Sequence, residues 1–215
     1  MVDIPAGQVT LSDRRTQRSW QVDLAPFRLA TVPVTRAQYL EISGQRSGEP
    51  RDDRLPADSV SWNDAIRFCN AWSEQAGSAP AYRIGPGDTV EQIASSDGFR
   101  LPTEAEWEYA CRAGTTGPRY GRLDDIAWYR GNSGDRLPEV GTKQPNAWGL
   151  HDMLGTVWEW CWDRYDPDVY GNYRVLRGGG WFDEHWSCRA SVRRRSHPTV
   201  DLDDIGFRIA RSIPR

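Results

Sequence analysis

The chain has 215 residues and a formal net charge of −3 at pH 7. A chain of this length can form one substantial hydrophobic core or at most two small ones. The slight negative charge argues against a nucleic-acid-binding protein, and no run of residues approaches the length of a membrane span.

The N-terminal segment 1–7 has no basic stretch followed by an apolar one. We therefore expect no secretory signal and a cytoplasmic location by default, although a domain within a longer chain would look the same. The four cysteines are widely separated, and Cys69 and Cys111 fall on apolar faces of predicted helices. This pattern favours buried free thiols over a disulfide framework.

Capping signatures predict three helices. Each begins at a hydroxyl residue that can accept a hydrogen bond from the N3 amide, and an acidic or amide side chain three positions later can reach back. The predicted helices run from Thr35 to about Ser43, from Ser61 to about Gln75 and from Thr103 to about Ala113.

Short extended segments, separated by glycine and proline, fill the rest of the chain. The candidate strands are residues 8–11, 27–31, 174–177, 181–182 and 206–210. No internal repeat and no low-complexity linker interrupts the sequence. We therefore predict a single α+β domain over residues 1–215, with little regular secondary structure and many ordered loops.

The segment 146–162 is unusually rich in glycine and tryptophan. Gly149 and Gly155 allow backbone carbonyls to turn toward a common point, and Asp152 and Glu159 add carboxylate oxygens nearby. Oxygen atoms of this kind are the ligands of hard cations. The alternative interpretation is a packed, tryptophan-rich core loop.

A series of motifs occurs in order along the chain: IPAG at 4–7, PVTRAQY at 33–39, VSWNDA at 60–65, RLPTEAEWEYA at 100–110, the segment 146–162, RVLRGGGW at 174–181 and IGFR at 205–208. With these motifs the chain resembles the formylglycine-generating-enzyme (sulfatase-modifying factor) domain family over essentially its whole length. The resemblance implies a variant of the C-type lectin fold with mixed sheets, few helices and a loop-dominated surface.

Members of this family have several functions, and the fold alone does not choose among them. Some members oxidise a sulfatase cysteine to formylglycine with copper, and others are iron-dependent sulfoxide synthases. Still others are non-catalytic binding modules, among them the variable proteins of diversity-generating retroelements.

The resemblance also implies a structural calcium ion in the segment before the Trp-Glu-Trp motif. Matched by position, its ligands would be the side chains of Asp152 and Glu159 and the backbone carbonyls of Gly155 and Val157. Two carboxylates would offset the charge of the cation, and carbonyl oxygens would complete its coordination.

The sequence argues against a copper cofactor. Cu(I) prefers sulfur ligands, and the copper-dependent members have two cysteines five positions apart. In this chain the second position is Cys188, but the first is Asp183, and Gly180 replaces the serine of the family's active site. If the chain were nevertheless a metal-dependent oxidase acting on a thiol or peptide, Cys188 and Trp158 would be its catalytic residues.

The three histidines offer one further metal hypothesis. Glu184, His185 and His197 could in principle form a two-histidine, one-carboxylate triad for iron. Their spacing is not characteristic of such a site, and the family's sulfoxide synthases take their iron-binding histidines largely from an additional domain. We therefore interpret them as surface histidines.

The segment 182–203 replaces the family's usual catalytic region, and we predict that it forms a ligand surface for a protein or small molecule. Arg189 and Arg193 are expected to pair with scaffold carboxylates, while residues 182–186 and 194–203 are expected to be loops on a rigid frame. A solvated charged face at 193–195 is the alternative. The candidate ligand-binding residues are Phe182, Asp183, Glu184, His185, Trp186, Arg194, Arg195, His197, Val200, Asp201 and Asp203.

Overall fold

The computed structural model describes residues 1–44 and 53–213. Its helices are α1 (Arg36–Ile42), α2 (Trp62–Gln75), α3 (Glu104–Arg112), α4 (Leu123–Ile126) and α5 (Pro167–Tyr170), with a 3-10 helix at Pro86–Asp88. The three predicted helices are confirmed as α1, α2 and α3. The single domain over 1–215 stays a prediction, because part of that range lies outside the described residues.

The helix starts follow the predicted capping chemistry, with one difference. Thr35 and Thr103 each form a complete capping box. Ser61 accepts a hydrogen bond from the amide of Asp64, but the Asp64 carboxylate accepts from the Ser61 hydroxyl at 2.5 Å and makes no reciprocal bond to the backbone. All three helices thus begin where a local side chain satisfies a free amide.

The structure contains short strands distributed along the whole chain. They are β1 (Val2–Ile4), β2 (Gly7–Asp13), β3 (Arg18–Leu24), β4 (Phe27–Leu29), β5 (Tyr82–Ile84), β6 (Val90–Gln92), β7 (Phe99–Arg100), β8 (Ala127–Trp128), β9 (Leu154–Gly155), β10 (Trp158–Arg164), β11 (Arg174–Arg177), β12 (Arg193–Ser196), β13 (Ile205–Gly206) and β14 (Ala210–Ser212).

Two four-stranded sheets organise these strands. The first has the order β1-β4-β14-β7 and the second has the order β12-β11-β10-β13. The second sheet is mixed, because β10 pairs with β11 antiparallel and with β13 parallel. The remaining strands form the hairpins β2–β3 and β5–β6 and the parallel pair β8–β9. The α+β class with mixed sheets is therefore confirmed.

Several strand predictions need correction. The predicted strand 174–177 is confirmed as β11, and 8–11 lies within β2, but the strand predicted at 27–31 ends at Leu29. Residues 206–210 do not form one strand, because β13 and β14 belong to different sheets. Residues 181–182 are not a strand at all: the chain turns there, and the Asp183 amide donates to the Gly180 carbonyl at 3.1 Å.

The tryptophan-rich segment forms the centre of the core. Strand β10 lies inside the second sheet, and Trp158, Trp160 and Cys161 are buried. Trp160 donates its indole N–H to the Val60 carbonyl at 2.8 Å, which ties the strand to the start of α2. The core-loop interpretation was correct about packing but missed that residues 158–164 form a strand.

No described helix combines the length and the apolar character that crossing a bilayer would require. The longest of them, α2, has 14 residues. All four cysteines are buried and free, as predicted.

Candidate functional site

The first candidate site surrounds Glu159, which is fully buried on β10. Arg208 binds both of its carboxylate oxygens, through Nε at 2.7 Å and Nη2 at 2.7 Å. The Trp107 indole N–H donates to the same carboxylate at 2.7 Å. Arg208 also donates to the carbonyls of Ala30 and His151. Glu159 is therefore part of a closed, charge-balanced network.

Asp152, the second predicted calcium carboxylate, differs from Glu159 because only one of its two oxygens is hydrogen-bonded. Its Oδ2 accepts from the Gly141 amide at 2.6 Å, while Oδ1 is buried and has no hydrogen-bond partner. Burial raises the pKa of Asp152 above its ordinary value, although the Gly141 hydrogen bond and Arg208 oppose this effect. The hydroxyl of Thr156, also buried, is likewise without a partner.

The predicted calcium ligands do not fit a calcium ion in this arrangement. A dication would have to share the Glu159 carboxylate with the guanidinium of Arg208, which already neutralises it. Of the two carboxylates, only Asp152 keeps an oxygen without a partner. The calcium set of Asp152, Gly155, Val157 and Glu159 stays a prediction, which the thermal stability with and without calcium tests.

The second candidate site lies where β10 meets the turn after β11. Asp183 points inward, and its Oδ2 accepts from the Trp158 indole N–H at 2.5 Å and from the Gly180 amide at 2.9 Å. Its backbone carbonyl accepts from the Arg130 amide at 2.9 Å. Asp183 is thus a structural acceptor that holds the turn against the second sheet.

Cys188, five positions later, is buried next to this carboxylate. Burial, together with the negative charge of Asp183, raises the pKa of its thiol to about 12, although Arg119 opposes this effect. At neutral pH the residue is therefore a thiol, whereas a soft metal or a nucleophilic step requires the thiolate. Trp158, the other candidate catalytic residue, is buried and uses its N–H to bind Asp183.

The structure brings the two parts of the predicted ligand surface together on one side of Trp158. The Trp181 indole donates to the Asp203 carbonyl at 3.3 Å, and the Trp158 amide donates to the Asp204 carbonyl at 2.7 Å. Arg194 lies 5.3 Å from the Trp158 ring and 3.5 Å from the Asp204 carboxylate. Residues 180–183 and 203–204 therefore form one continuous surface.

Part of the predicted ligand surface is exposed to solvent. Phe182 is 50% exposed, Trp186 is 56% exposed and Leu202, which the sequence analysis missed, is 46% exposed. These are three of the eight large hydrophobic side chains that the described part of the chain leaves exposed. The other exposed candidates are His185, Arg194, His197, Asp201 and Asp203, and Glu184 is half-buried beside Arg130 at 3.5 Å.

Three predicted ligand-binding side chains have internal partners instead. Asp183 binds Trp158, Arg195 lies 3.7 Å above the Tyr170 ring, and Val200 packs against the core. The loop predicted over 194–203 is wrong at its start, because Arg193–Ser196 is strand β12 and pairs with β11. The side chains of Asp183, Arg195 and Val200 are thus engaged within the protein, and their assignment as ligand-binding residues stays a prediction.

Arg189 and Arg193, the two arginines expected to pair with carboxylates, have different surroundings in the structure. Arg193 binds Glu104 at 2.5 Å and lies 3.3 Å from Asp13, so its expected pairing is confirmed. Arg189 has no carboxylate partner among the described residues, and its Nε is buried without a hydrogen bond. The expectation that Arg189 pairs with a scaffold carboxylate is therefore wrong.

Two arginines outside the segment anchor it, and no sequence pattern indicates either contact. Arg119 donates to the carbonyls of Cys188 at 2.9 Å and His185 at 2.6 Å. Arg130 lies 5.1 Å from the Phe182 ring. Arg119 precedes α4 and Arg130 follows β8, and both are far from 182–188 in sequence, so only the tertiary structure reveals these contacts.

The histidine hypothesis finds no support in the contacts. His185 packs edge-on against Trp186 at 5.0 Å, and the Nδ1 of His197 lies 2.8 Å from the Thr199 hydroxyl. Within residues 1–44 and 53–213, no group of three histidine, cysteine, aspartate or glutamate side chains could hold a metal ion.

Comparisons with known proteins agree on one family. The model of the sulfatase-modifying factor enzyme 1-like domain matches residues 1–213. The inactive C-alpha-formylglycine-generating enzyme 2 of Mus musculus is 32% identical over 91% of this chain and 61% of its own length. The formylglycine-generating enzyme of Streptomyces coelicolor is 30% identical over 83% of this chain and 60% of its own length.

One solved structure is similar over nearly the whole of both chains. It is variable protein 1 of Treponema denticola, with a TM-score of 0.90 and 30% identity, covering 99% of this chain and 95% of that chain. The similarity confirms the expected fold.

Proposed function

We propose that the chain, which belongs to the sulfatase-modifying factor enzyme 1-like family, is a non-catalytic binding module. Its ligand surface comprises residues 182–203, and its partner is a protein or a small molecule. One observation carries this proposal: the carboxylate of Asp183 stands at the position of the first catalytic cysteine and is bound by Trp158 and Gly180.

The similarity to a variable protein supports a binding role. The TM-score of 0.90 extends over 99% of this chain, including the segment 182–203. The exposed rings of Phe182 and Trp186 are of the kind that contributes most to binding energy. They stand on a frame held by Asp183, Arg119 and strand β12, so the surface would lose little conformational freedom on binding.

The finer part of the proposal is that a retroelement diversifies this surface. A scaffold that tolerates changes at exposed positions needs its anchoring contacts elsewhere, and here these contacts come from Trp158, Arg119 and the backbone of β11. The exposed side chains of the segment, by contrast, make few contacts that the fold requires.

A metal-dependent oxidase acting on a thiol or peptide is the second candidate function. The 30% identity to the Streptomyces coelicolor formylglycine-generating enzyme, together with Cys188 and Trp158, favours it. The chain spans about three fifths of that enzyme's length, and the buried thiol of Cys188 has a pKa of about 12. We therefore rank it below the binding module.

The genomic sequence around the gene tests the proposal that a retroelement diversifies residues 182–203. We expect a near-copy of the codons for residues 178–208, differing at adenines, close to a reverse-transcriptase gene. A genomic neighbourhood without such a copy would contradict diversification and leave an invariant binding module.

A metal assay separates the binding module from the oxidase. After loading with copper or iron and removal of excess metal, we expect no stoichiometric metal and no difference between the wild type and Cys188→Ala. One equivalent of metal in the wild type, lost in Cys188→Ala, would overturn the non-catalytic proposal.

A further inference from the structure

A cleft of about 810 Å³ lies between the β2–β3 hairpin and residues 186–193. We call it the arginine cleft. Its hairpin wall carries Arg14 and Arg15, and its opposite wall carries Trp186, Arg189 and Arg193. The cleft borders the proposed ligand surface at Trp186, but the hairpin wall lies outside residues 182–203.

The charge of the cleft is one-sided. Four arginines line it, against one acidic residue, Asp13. Asp13 is buried and lies 3.3 Å from Arg193, so Arg193 already balances its charge. A positive cleft on a chain with a net charge of −3 concentrates anions locally.

Two of the four arginines have partners within the protein. Arg15 pairs with Asp166, and Arg193 binds both oxygens of Glu104, at 2.5 Å and 2.9 Å. These pairs hold the two walls in place. The other two arginines of the cleft, Arg14 and Arg189, take no part in these ion pairs.

Arg14 and Arg189 are the unmatched charges. In the described part of the chain neither has an ion-pair partner; Arg14 is exposed, and Arg189 is half-buried with its Nε shielded from water and unbonded. A partly buried guanidinium without a counter-charge costs free energy, and an anion in the cleft would reduce that cost. The planar fork of arginine matches carboxylate and phosphate groups in particular.

Trp186 adds a flat apolar face at the edge of the cleft. It is 56% exposed, and the His185 ring, at 5.0 Å, is its one aromatic neighbour in the described structure. Ser12 and Ser191 also line the cleft, and their hydroxyls can donate hydrogen bonds, whereas the hydroxyl of Ser187, a third lining residue, already donates to Asp183 at 3.4 Å. An exposed indole beside two unmatched arginines suits a ligand that combines a planar ring with an anionic group.

We propose that the arginine cleft binds an oxyanion, a carboxylate or a phosphate, attached to a planar ring that packs on Trp186. Arg14 and Arg189 bind the oxyanion, and Arg15 and Arg193 position the walls. This site goes beyond the proposed function because it extends the binding surface to the β2–β3 hairpin and specifies the ligand's chemistry.

Isothermal titration calorimetry with small probes tests the site. Phenyl phosphate and benzoate combine a ring with each type of oxyanion, inorganic phosphate lacks the ring, and benzyl alcohol lacks the charge. We expect at least one ring-bearing anion to bind at least about tenfold more tightly than benzyl alcohol, and its Kd to rise with ionic strength. Binding of phenyl phosphate alone would indicate a phosphate ligand, and binding of benzoate would indicate a carboxylate.

Three variants and a matched control locate the binding. Arg189→Ala and Arg14→Ala should each raise the Kd of the bound anion by about tenfold or more, and Trp186→Ala should weaken the ring-bearing probe but not inorganic phosphate. Arg122→Ala removes the same charge from a side chain that is 87% exposed and does not line the cleft. Because Arg14 is exposed on a turn, its variant keeps the test valid if Arg189→Ala fails to fold.

The proposal is overturned if the wild type binds neither ring-bearing anion, or if Arg122→Ala weakens binding as much as Arg14→Ala does. Neither result depends on a retroelement or on a metal. Failure of the cleft and failure of the proposed function are therefore distinguishable.

Discussion

The pair of Glu159 and Arg208 is the buried charge network on which the centre of the molecule depends. Both side chains have no solvent exposure, and each balances the charge of the other. Removing one partner from such a pair leaves an uncompensated charge in the interior, which costs far more than the pair itself contributes. Substituting either partner alone should therefore strongly reduce the stability of the folded protein.

We predict that Glu159→Gln lowers the free energy of unfolding by about 3–5 kcal/mol, measured by urea denaturation. Arg28→Ala, which breaks the exposed pair between Arg28 and Asp3, serves as the control and should cost less than about 1 kcal/mol. A cost below about 1 kcal/mol for Glu159→Gln would contradict the role given to the network.

At the scale of single residues, the sequence predicts local contacts well and distant ones poorly. Thr35 and Thr103 were identified as caps because their partners lie three positions away. The role of Asp183 as an acceptor for Trp158 was not foreseen, because the two residues are 25 positions apart. For Arg189 the sequence predicts an ion pair, but among the described residues no carboxylate pairs with its guanidinium.

At the scale of elements, helix α3 is held at its N-terminus by a carboxylate from β10. The Glu104 amide donates to Asp163 Oδ2 at 2.6 Å. Burial, together with the nearby carboxylates of Glu104 and Glu106, raises the pKa of Asp163 to about 6, although the hydrogen bond from the Glu104 amide opposes this effect. An acid that resists ionisation in the folded state therefore lies beside the N-terminus of α3.

The sign of the resulting pH dependence follows from linkage. An unfolded aspartate titrates near pH 4, so from about pH 4 to about pH 6 the folded state holds this proton more tightly and loses stability as the pH rises. Asp163→Asn keeps the acceptor but cannot ionise. Relative to the wild type, its free energy of unfolding should increase by about 1–3 kcal/mol between pH 4 and pH 7.

Urea denaturation of both proteins at several pH values across this window measures the difference. Asp168→Asn is the matched control, because Asp168 is exposed and lines, together with Asp163, a second cleft distinct from the arginine cleft; it should leave the difference constant. A constant difference for Asp163→Asn as well would show that Asp163 ionises normally.

The elements also show why some strands were predictable and others were not. Strand β11 has the apolar pair Val175 and Leu176 between arginines, and it was found with the correct bounds. Strand β12 reads as three consecutive arginines and a serine, with no apolar alternation. It is a strand because β11 pairs with it along its whole length, which no local pattern could indicate.

For the whole molecule, the family resemblance predicted the fold class, whereas the ligand surface at residues 182–203 stays a prediction. The resemblance did not predict which side chains of this segment face the solvent. Phe182, Trp186 and Leu202 are exposed, whereas Asp183, Arg195 and Val200 have contacts within the protein. That division depends on how the segment packs between Arg119, Trp158 and Tyr170.

The chelator response of the whole protein tests the calcium prediction. A calcium ion bound only by the native state must stabilise it, so its removal would lower the Tm. Because Arg208 already binds both oxygens of Glu159, we expect EDTA to leave the Tm unchanged, measured by thermal unfolding with and without added calcium. A lower Tm in EDTA that calcium restores would establish the predicted ion.

Strand β12 has a consequence for how copies of the protein meet. It is the outer strand of the second sheet, where unpaired backbone groups would otherwise invite a strand from a neighbouring molecule. The Arg193 side chain is buried against Glu104 and Arg195 lies over the Tyr170 ring, which leaves Arg194 as the exposed arginine of this strand. An exposed charge on an edge strand disfavours edge-to-edge pairing between copies, so we expect Arg194 to limit aggregation through β12.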